Sequence, residues 1–448
     1  MTQPLLSVVI LAAGKGTRMK SSMPKVLHKL AGKPLVEHVI DAVSNLNPSE
    51  TVLVLGPESE QVGSLYPNTI PVIQHDRLGT GHAVSVTAGI LENQERDILV
   101  LFGDTPLVQS STLERMVAAK NRGTDISLVV AGFKPNDPAR YGRIKCDDAR
   151  QPQSIIEYKD ANEEERAIGL CNGGAMLVAG SDLFRLLKKT NNQNASGEFY
   201  LTDLVSLAAN EGLGTAMVLF GEDEVLGINS RSELAAAEQL LQEKLRGSAM
   251  DQGVTLIDPK TVYLSTDTVL GQDVIIEPNV FIGPGVEIAS GTIVKAFSHL
   301  EQAKIGSNTQ IGPFARLRPG AEIGDSCRIG NFVEVKNSSF ADGSKANHLA
   351  YIGDGEIGAA SNIGAGTIFC NYDGINKHRT TLGDRVFIGS NSALVAPVTI
   401  ADDALVAAGS TITRDVGSNA LAAARGAQKE IENGAKRFRD KARKKAQK

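Results

Sequence analysis

Along the first half of the chain, short wholly apolar stretches alternate with stretches whose apolar residues recur every three or four positions. SVVILAAG from Ser7, TVLVLG from Thr51, DILVLFGD from Asp97 and DISLVVAG from Asp125 are β-rich runs closed by Gly or Asp. Unbroken runs of that length read as strands buried on both faces. PLVEHVIDAVSNL, from Pro34, has helical spacing instead. The alternation predicts an α/β domain over residues 1–229, with a mostly parallel sheet covered on both sides. Ligands of such sheets bind beyond the carboxyl ends of the strands, which is where LAAGKGTR and FGD fall.

SRSELAAAEQLLQEKLRG follows. Ser230 and Glu233 have capping-box spacing, strong helix formers fill the interior, and Gly247 is placed to stop the helix. A helix over 230–246 is expected, in a linker of 230–250. From 251 the rhythm changes. Ile305, Ile311, Leu317, Ile323, Ile329 and Val335 stand six apart, as do Leu382, Ile388, Leu394, Ile400, Val406 and Ile412. A weaker run, Leu270, Ile276, Ile282, Ile288 and Val294, precedes them. A period of six belongs to neither a helix nor a flat strand. It belongs to a coil of short strands, one inward residue per strand and Gly at the corners: the hexapeptide repeat of a parallel β-helix over 251–425. The register breaks at 337–351 and 370–381, and both segments are expected to be inserted loops that carry function. The flat aliphatic wall of such a solenoid predicts self-association.

Composition adds a setting. The 448 residues include 45 Gly and no Trp, and aromatics are only 4%, which suits a repetitive β architecture. Cys146, Cys171, Cys327 and Cys370 have no C-x-x-C spacing, which argues against a zinc site or a disulfide framework. The apolar run at the N-terminus lacks a basic leader and is too short to span a bilayer, so a cytoplasmic protein without membrane insertion is expected. Net charge is −5, but from Ala427 to Lys448 nine Lys/Arg face three Asp/Glu. That +6 leaves −11 for the rest of the chain. The tail 426–448 reads as a solvated, partly disordered terminus rather than a nucleic-acid site.

Candidate chemistry clusters at the strand ends. LAAGKGTRMKSSMPK fits neither the dinucleotide fingerprint nor the P-loop, because Met19 stands where a third Gly would be and no Lys-Ser/Thr follows. Its glycines still let backbone N–H groups approach an anion, with Arg18 and Lys25 as cations. Asp104, just past a buried strand, suits Mg²⁺ or a simple turn; Gln74, Gly79 and Thr80 of QHDRLGTGHA suit a base edge or a simple turn. His348 in SKANHLAY could take a proton near neutral pH or merely be solvated.

Taken together, L-A-A-G-x-G-T-R-M with a downstream P-K resembles the signature of sugar-phosphate nucleotidyltransferases. With QxxxxGTGHA, GD, YGRI at Tyr141–Ile144 and the hexapeptide repeats, the chain from about residue 5 to Arg425 resembles one family. That family is the bifunctional N-acetylglucosamine-1-phosphate uridylyltransferase/glucosamine-1-phosphate acetyltransferases. The resemblance implies a Rossmann-like N-terminal domain, a left-handed β-helix and a homotrimer. It also implies UTP, acetyl-CoA and the two sugar phosphates as substrates, Mg²⁺ as cofactor, and the product UDP-N-acetylglucosamine.

Residue by residue, the resemblance implies that Leu11, Ala12, Ala13, Gly14, Gln74, Gly79, Thr80 and Gly103 surround UTP. Gly142, Glu157, Asn172 and Thr202 would hold the acetylated sugar, and Asp104 and Asn229 the Mg²⁺. Arg18 and Lys25 would neutralise charge while a sugar phosphate oxygen attacks the α-phosphorus and pyrophosphate leaves, so positioning and electrostatics carry the step. In the second half His348 would be the base, and Arg318, Lys336 and Tyr351 would bind phosphate. Asn362, Asn371 and Tyr372 would contact sugar and coenzyme, and Ala365, Ser390, Ala408 and Arg425 would line the acetyl-CoA groove. The tail departs from the family, with only Phe438 in place of a terminal Trp. Two other readings compete. A monofunctional sugar-1-phosphate nucleotidyltransferase with a structural β-helix would not need Arg318, Lys336, His348 and Tyr351 together. A non-enzymatic scaffold would not need Arg18, Lys25 and Asp104.

Overall fold

The computed structural model describes residues 5–92, 95–122 and 125–446; the first four residues of the 1–229 segment and the last two of the basic tail lie outside it. The chain divides into two compact units, Met1–Leu245 and Arg246–Lys448.

Each apolar run of the first unit is a strand. They are β1 (Leu5–Ala12), β2 (Glu50–Leu55), β3 (Ile70–Ile73), β4 (Arg96–Phe102) and β5 (Ile126–Phe133). A hairpin, β6 (Arg143–Cys146) with β7 (Pro152–Ile156), precedes β8 (Cys171–Ala179) and β9 (Gly214–Leu219). The main sheet has the order β9-β5-β8-β4-β1-β2-β3 and is parallel except for β8, which runs against both neighbours. Strand alternation explains the unbroken apolar runs. Val8 and Ile10 enter one core with Leu53, Leu99 and Val129; Val9 and Leu11 enter the other with Val52, Ile98 and Val130. Helix α1 (Leu35–Ser44) lays Val36, Val39 and Val43 on the first of these cores. Helix α2 (Thr80–Ser85) lays Ala83 and Val84 on the second.

The linker helix α3 spans Arg231–Asp251, so it passes through Gly247 instead of stopping there. A Gly in a helix interior costs only about 1 kcal/mol, which its neighbours offset. The stop falls at Gly253, whose φ of +94° is the left-handed conformation a helix terminus uses. The capping box is also displaced. Ser230 Oγ accepts from Glu233 N at 3.3 Å, but the Glu233 carboxylate reaches back to Asn229 N at 2.7 Å, not to Ser230.

The second unit is a parallel β-helix whose short strands stack into three sheets. One inward column runs Ile276, Val294, Ile311, Ile329, Ala346, Ile363, Ile388, Val406. One expectation changes here. Residues 337–351 are not an inserted loop: they form strands Ser338–Phe340 and Lys345–His348 and keep the coil going. Their inward positions are Phe340 and Ala346, and the step from Val335 to Phe340 is five residues, so a search for Ile, Leu or Val every six misses the turn. The 370–381 segment does leave the coil, between strands Ile368–Cys370 and Thr380–Leu382.

Glycine makes only some of the corners: Gly285, Gly291, Gly320, Gly343, Gly366 and Gly409 are left-handed there. The other corners are left-handed residues such as Asn279, Asn308 and Asn391, and Phe297, Phe314 and Phe332. Gly330 is needed because the next coil presses on it: a Cβ there would lie 1.9 Å from Asn347 O. The tail carries helix α4 (Gly434–Ala446), with no buried residue and Phe438 75% exposed. This agrees with the expected solvation, and the helical part is a run of Ala, Lys and Arg, which are strong helix formers.

Two candidate active sites

In the first unit, three adjoining cavities open at the carboxyl ends of β1 and β4. The smallest, of about 220 Å³, is lined by Leu11, Ala12, Ala13, Gly14, Lys25, Gln74, Gly79, Thr80 and Asp104. A second, of about 580 Å³, takes Thr80, Gly142, Glu157, Asn172 and Thr202. The third, also about 580 Å³, takes Arg18, Asp104, Asn172 and Asn229. Phe102 lines all three. Every residue expected around the nucleotide, sugar and metal lines one of these cavities except Gly103. Its N–H donates to Leu11 O at 2.9 Å and joins the ends of β4 and β1.

Backbone bonds bring the distant segments together. Ile228 N donates to Asp104 O at 2.9 Å, which carries Asn229 to the end of β4. Asn229 Nδ2 donates to Gly227 O at 3.3 Å, and its Oδ1 accepts from Lys25 Nζ at 3.1 Å. The same ammonium is ion-paired with Asp104 Oδ2. Two hard oxygens therefore converge on one positive charge, a donor set that fits Mg²⁺, which keeps most of its waters and substrate oxygens. Among the described residues, no group of three or more His, Cys, Asp or Glu is arranged to hold a metal.

In the larger cavity, burial pushes the Glu157 carboxyl above the ordinary range, opposed by the hydrogen bond from Thr202 Oγ1 at 3.1 Å. Asn172 Oδ1 accepts from Gly174 N at 3.0 Å, within the irregular stretch where β8 bulges between Asn172 and Met176. Arg77 was missed by sequence reasoning. Its Nε donates to Ala13 O at 2.7 Å and its guanidinium is ion-paired with Glu58, so it straps the glycine loop from behind. It lies inside QHDRLGTGHA, and only the folded loop shows which way it turns.

The second candidate site lies on the outer face of the sheet containing strands Arg316–Leu317, Glu334–Lys336, Tyr351–Gly353 and Ile368–Cys370. Leu317, Val335, Ile352 and Phe369 point inward, which leaves Lys336 and Tyr351 outward, with Arg318 following its strand. Arg318 Nη1 is paired with Glu334 at 2.8 Å, and its buried Nε has no partner. Lys377, from the 370–381 excursion, approaches Lys336. The close ammonium of Lys377, then burial and the charge of Arg318, hold the Lys336 ammonium below the ordinary lysine range. Sequence reasoning missed Lys377, although it flagged the segment that carries it. Three cations gathered this way make an anion site.

His348 closes the neighbouring strand at the corner just before Tyr351. Its Nδ1 lies 2.6 Å from Asn331 Oδ1, an acceptor, so Nδ1 is the donor there, and in the neutral ring Nε2 is the nitrogen with the lone pair. Above His348 on the same corner stack Ala365, Ser390 and Ala408: Asn391 N donates to Ala365 O, and Gly409 N to Ser390 O. Arg425 Nη1 donates to Ala408 O at 2.6 Å and extends the column. Asn362 lies in the strand paired with that of His348, opposite Lys345. Asn371 is buried, and its Nδ2 donates to Asp354 Oδ2 at 2.5 Å. Burial would raise the Asp354 carboxyl; hydrogen bonds from Asn337 and Asn371 and the charges of Lys377 and Lys336 hold it below the ordinary range. Tyr372 is exposed, its hydroxyl donates to Gly374 O at 2.6 Å, and its backbone is bridged to Lys377.

Comparison with known proteins agrees with this two-part plan. A MobA-like NTP transferase domain model matches residues 8–200. Bacterial transferase hexapeptide models match 267–302 and 302–337, and a hexapeptide repeat of succinyl-transferase matches 379–414. The bifunctional protein GlmU of Paramagnetospirillum magneticum is 51% identical over 449 residues, covering 100% of both chains. That of Ruegeria sp. is 53% identical over 423 residues, covering 94% of this chain and 93% of its own. That of Zymomonas mobilis is 50% identical over 443 residues, covering 98% of each.

Proposed function

The chain belongs to the family of bifunctional GlmU proteins, and from that premise we propose which of its residues carry each activity. It is a bifunctional transferase that acetylates glucosamine-1-phosphate and then transfers a uridylyl group to the product, making UDP-N-acetylglucosamine. The alternative of one activity on a passive β-helix is not favoured, because both halves match along their whole length.

The observation that carries the first assignment is the convergence of Asp104 and Asn229 on Lys25 where the cavities meet. UTP lies in the smallest cavity against Ala13, Gly14, Gln74, Gly79 and Thr80, with the sugar phosphate against Gly142, Glu157, Asn172 and Thr202. Mg²⁺, held by Asp104 and Asn229, neutralises phosphate charge when bound. Arg18 and Lys25 supply positive charge on either side of the α-phosphorus, and no covalent residue is needed.

At the second site Arg318, Lys336 and Lys377 hold the phosphate of glucosamine-1-phosphate with Tyr351. The amine attacks the thioester carbonyl of acetyl-CoA, its proton passes to His348 Nε2, and coenzyme A leaves as the thiolate. Small side chains at Ala365, Ser390 and Ala408 let the pantetheine arm lie along the coil. Asn362, Asn371, Tyr372 and Arg425 flank sugar and coenzyme.

The protein is a cytoplasmic homotrimer in this reading. In support, Phe297, Phe314 and Phe332 stack at 5.0 and 5.2 Å along one corner, about half exposed, and Leu349 continues the ladder. Bulky residues in left-handed backbone cost about 1 kcal/mol each, and cover by a second copy would repay that. No helix of the described residues is long and apolar enough to cross a membrane.

A single incubation with glucosamine-1-phosphate, acetyl-CoA, UTP and Mg²⁺, followed by mass analysis, tests the division of labour. UDP-N-acetylglucosamine that requires both donors is the expected product. Formation only from ready-made N-acetylglucosamine-1-phosphate would reduce the β-helix to a scaffold.

A further inference from the structure

Gln74 is 3% exposed yet lines the nucleotide cavity, so one end of its amide faces the ligand and the other is tied down. The tie identifies which end. Gln74 Nε2 lies 3.2 Å from Gly79 O and 3.1 Å from His82 Nδ1. A backbone carbonyl can only accept, so the amide nitrogen, not the oxygen, is turned toward Gly79. With one amide hydrogen on Gly79 O, the other is directed at His82. Nδ1 of that ring is therefore the acceptor, and its proton sits on Nε2. Among the described residues no donor reaches Gln74 Oε1, which is the group left for the cavity.

The platform under this arrangement is rigid. Helix α2, which carries His82, is strapped to the 199–201 segment by Gly81 N to Phe199 O at 2.8 Å and Leu201 N to Thr80 Oγ1 at 3.0 Å. Gly79 adopts a φ of +113°, and a Cβ there would lie 2.5 Å from Phe199 O. The carbonyl and the imidazole that grip Gln74 are thus held at fixed places.

We infer that His82 is a positioning residue for nucleobase selection: by accepting from Gln74 Nε2 it locks the amide so that only an acceptor faces the base. A fixed acceptor set against ring position 3 selects uracil, whose N3 carries a hydrogen, and opposes cytosine, whose N3 is itself an acceptor and whose pairing-edge donor is the exocyclic N4 amine. A loosened amide can turn and donate to cytosine. Sites built around a committed hydrogen bond discriminate strongly, because the wrong ligand leaves a buried polar group unpaired. His82 does not line this cavity, and the inference rests on the reading of the cavity as the nucleotide site.

The test is the ratio of kcat/KM for UTP to that for CTP, measured in the full-length protein with N-acetylglucosamine-1-phosphate and Mg²⁺. Wild type should prefer UTP. His82→Phe, which keeps a ring but loses the acceptor, should lower the ratio about tenfold, the size of one net hydrogen bond. Most of that change should fall in KM. His82→Asn, whose side-chain carbonyl can accept, should recover part of the ratio. Acetyl transfer serves as the folding control, and His82→Leu repeats the comparison if the Phe ring overpacks. Equal losses for UTP and CTP, with the ratio unchanged, would make His82 merely structural and overturn the inference. A wild type indifferent to the base would overturn the nucleotide reading of the cavity itself.

Discussion

The two candidate sites solve opposite problems. The first is concave: three adjoining cavities at the end of a sheet, with a half-buried carboxylate and an amide whose orientation is imposed by its neighbours. The second is a convex face of a stacked coil, where Arg318, Lys336, Lys377 and His348 stand on the outer surface. A crossover sheet makes a hollow where its strands end, so one fold supplies walls on all sides. A solenoid makes ladders, so its chemistry is arranged in columns along corners and its walls must come from elsewhere. Recognition by burial belongs to the first half and recognition by charge and alignment to the second.

The sharpest way to break this comparison is to remove the base. His348→Ala should lower acetyl transfer about 10²- to 10⁴-fold, the usual worth of a general base, with uridylyl transfer unchanged in the same preparation. Equal loss of both activities would mean that the halves are not independent. Asp104→Asn should do the converse, cutting Mg²⁺-dependent pyrophosphate release about 10²-fold or more while leaving acetylation intact. Retained Mg²⁺-dependent release would remove Asp104 from the metal site.

A third experiment uses burial, which the second site lacks. The Glu157 carboxyl is raised, so it holds its proton to higher pH than an ordinary Glu. That proton contributes stability below the ordinary carboxyl pKa, and the contribution is lost as pH rises through the raised value. The ionised form is the better acceptor for sugar hydroxyls. KM for N-acetylglucosamine-1-phosphate should therefore rise on the acid side, starting at a higher pH than an ordinary carboxylate would give. Glu157→Gln should flatten that limb, and an unchanged profile would assign it to another group. The smallest effect concerns the linker. A Cβ at Gly247 meets nothing within 4 Å, so Gly247→Ala should stabilise α3 by up to about 1 kcal/mol, read as a small rise in Tm. A lower Tm would mean that Gly247 is needed where it stands.

Much of this molecule was legible in advance because its core is periodic. Val8 to Leu11 and Ile98 to Leu101 are strands by composition alone, and the six-residue columns announce the β-helix. The failures share a cause. At 337–351 the coil continues with Phe340 and Ala346 inside and one corner residue fewer, and a rule about side-chain type does not see a rule about available volume. Gly330 looked like a corner because Gly often is one. Its neighbour Asn347 O, 1.9 Å from where a Cβ would be, is seventeen residues away and visible only once the coils are stacked.

The chain by itself determined the classes of element, the repeat, and the kinds of chemistry available: a glycine loop with cations, a strand-end carboxylate, a histidine among polar residues. Those properties are local, set by side-chain pattern and backbone freedom. Tertiary structure alone decided that Asn229 meets Lys25 and Asp104, that Lys377 joins Lys336, that Asn331 fixes the His348 tautomer, and that His82 orients Gln74. Each is a contact between segments far apart in sequence, and only folding fixes the distance and direction on which a charge or a hydrogen bond depends.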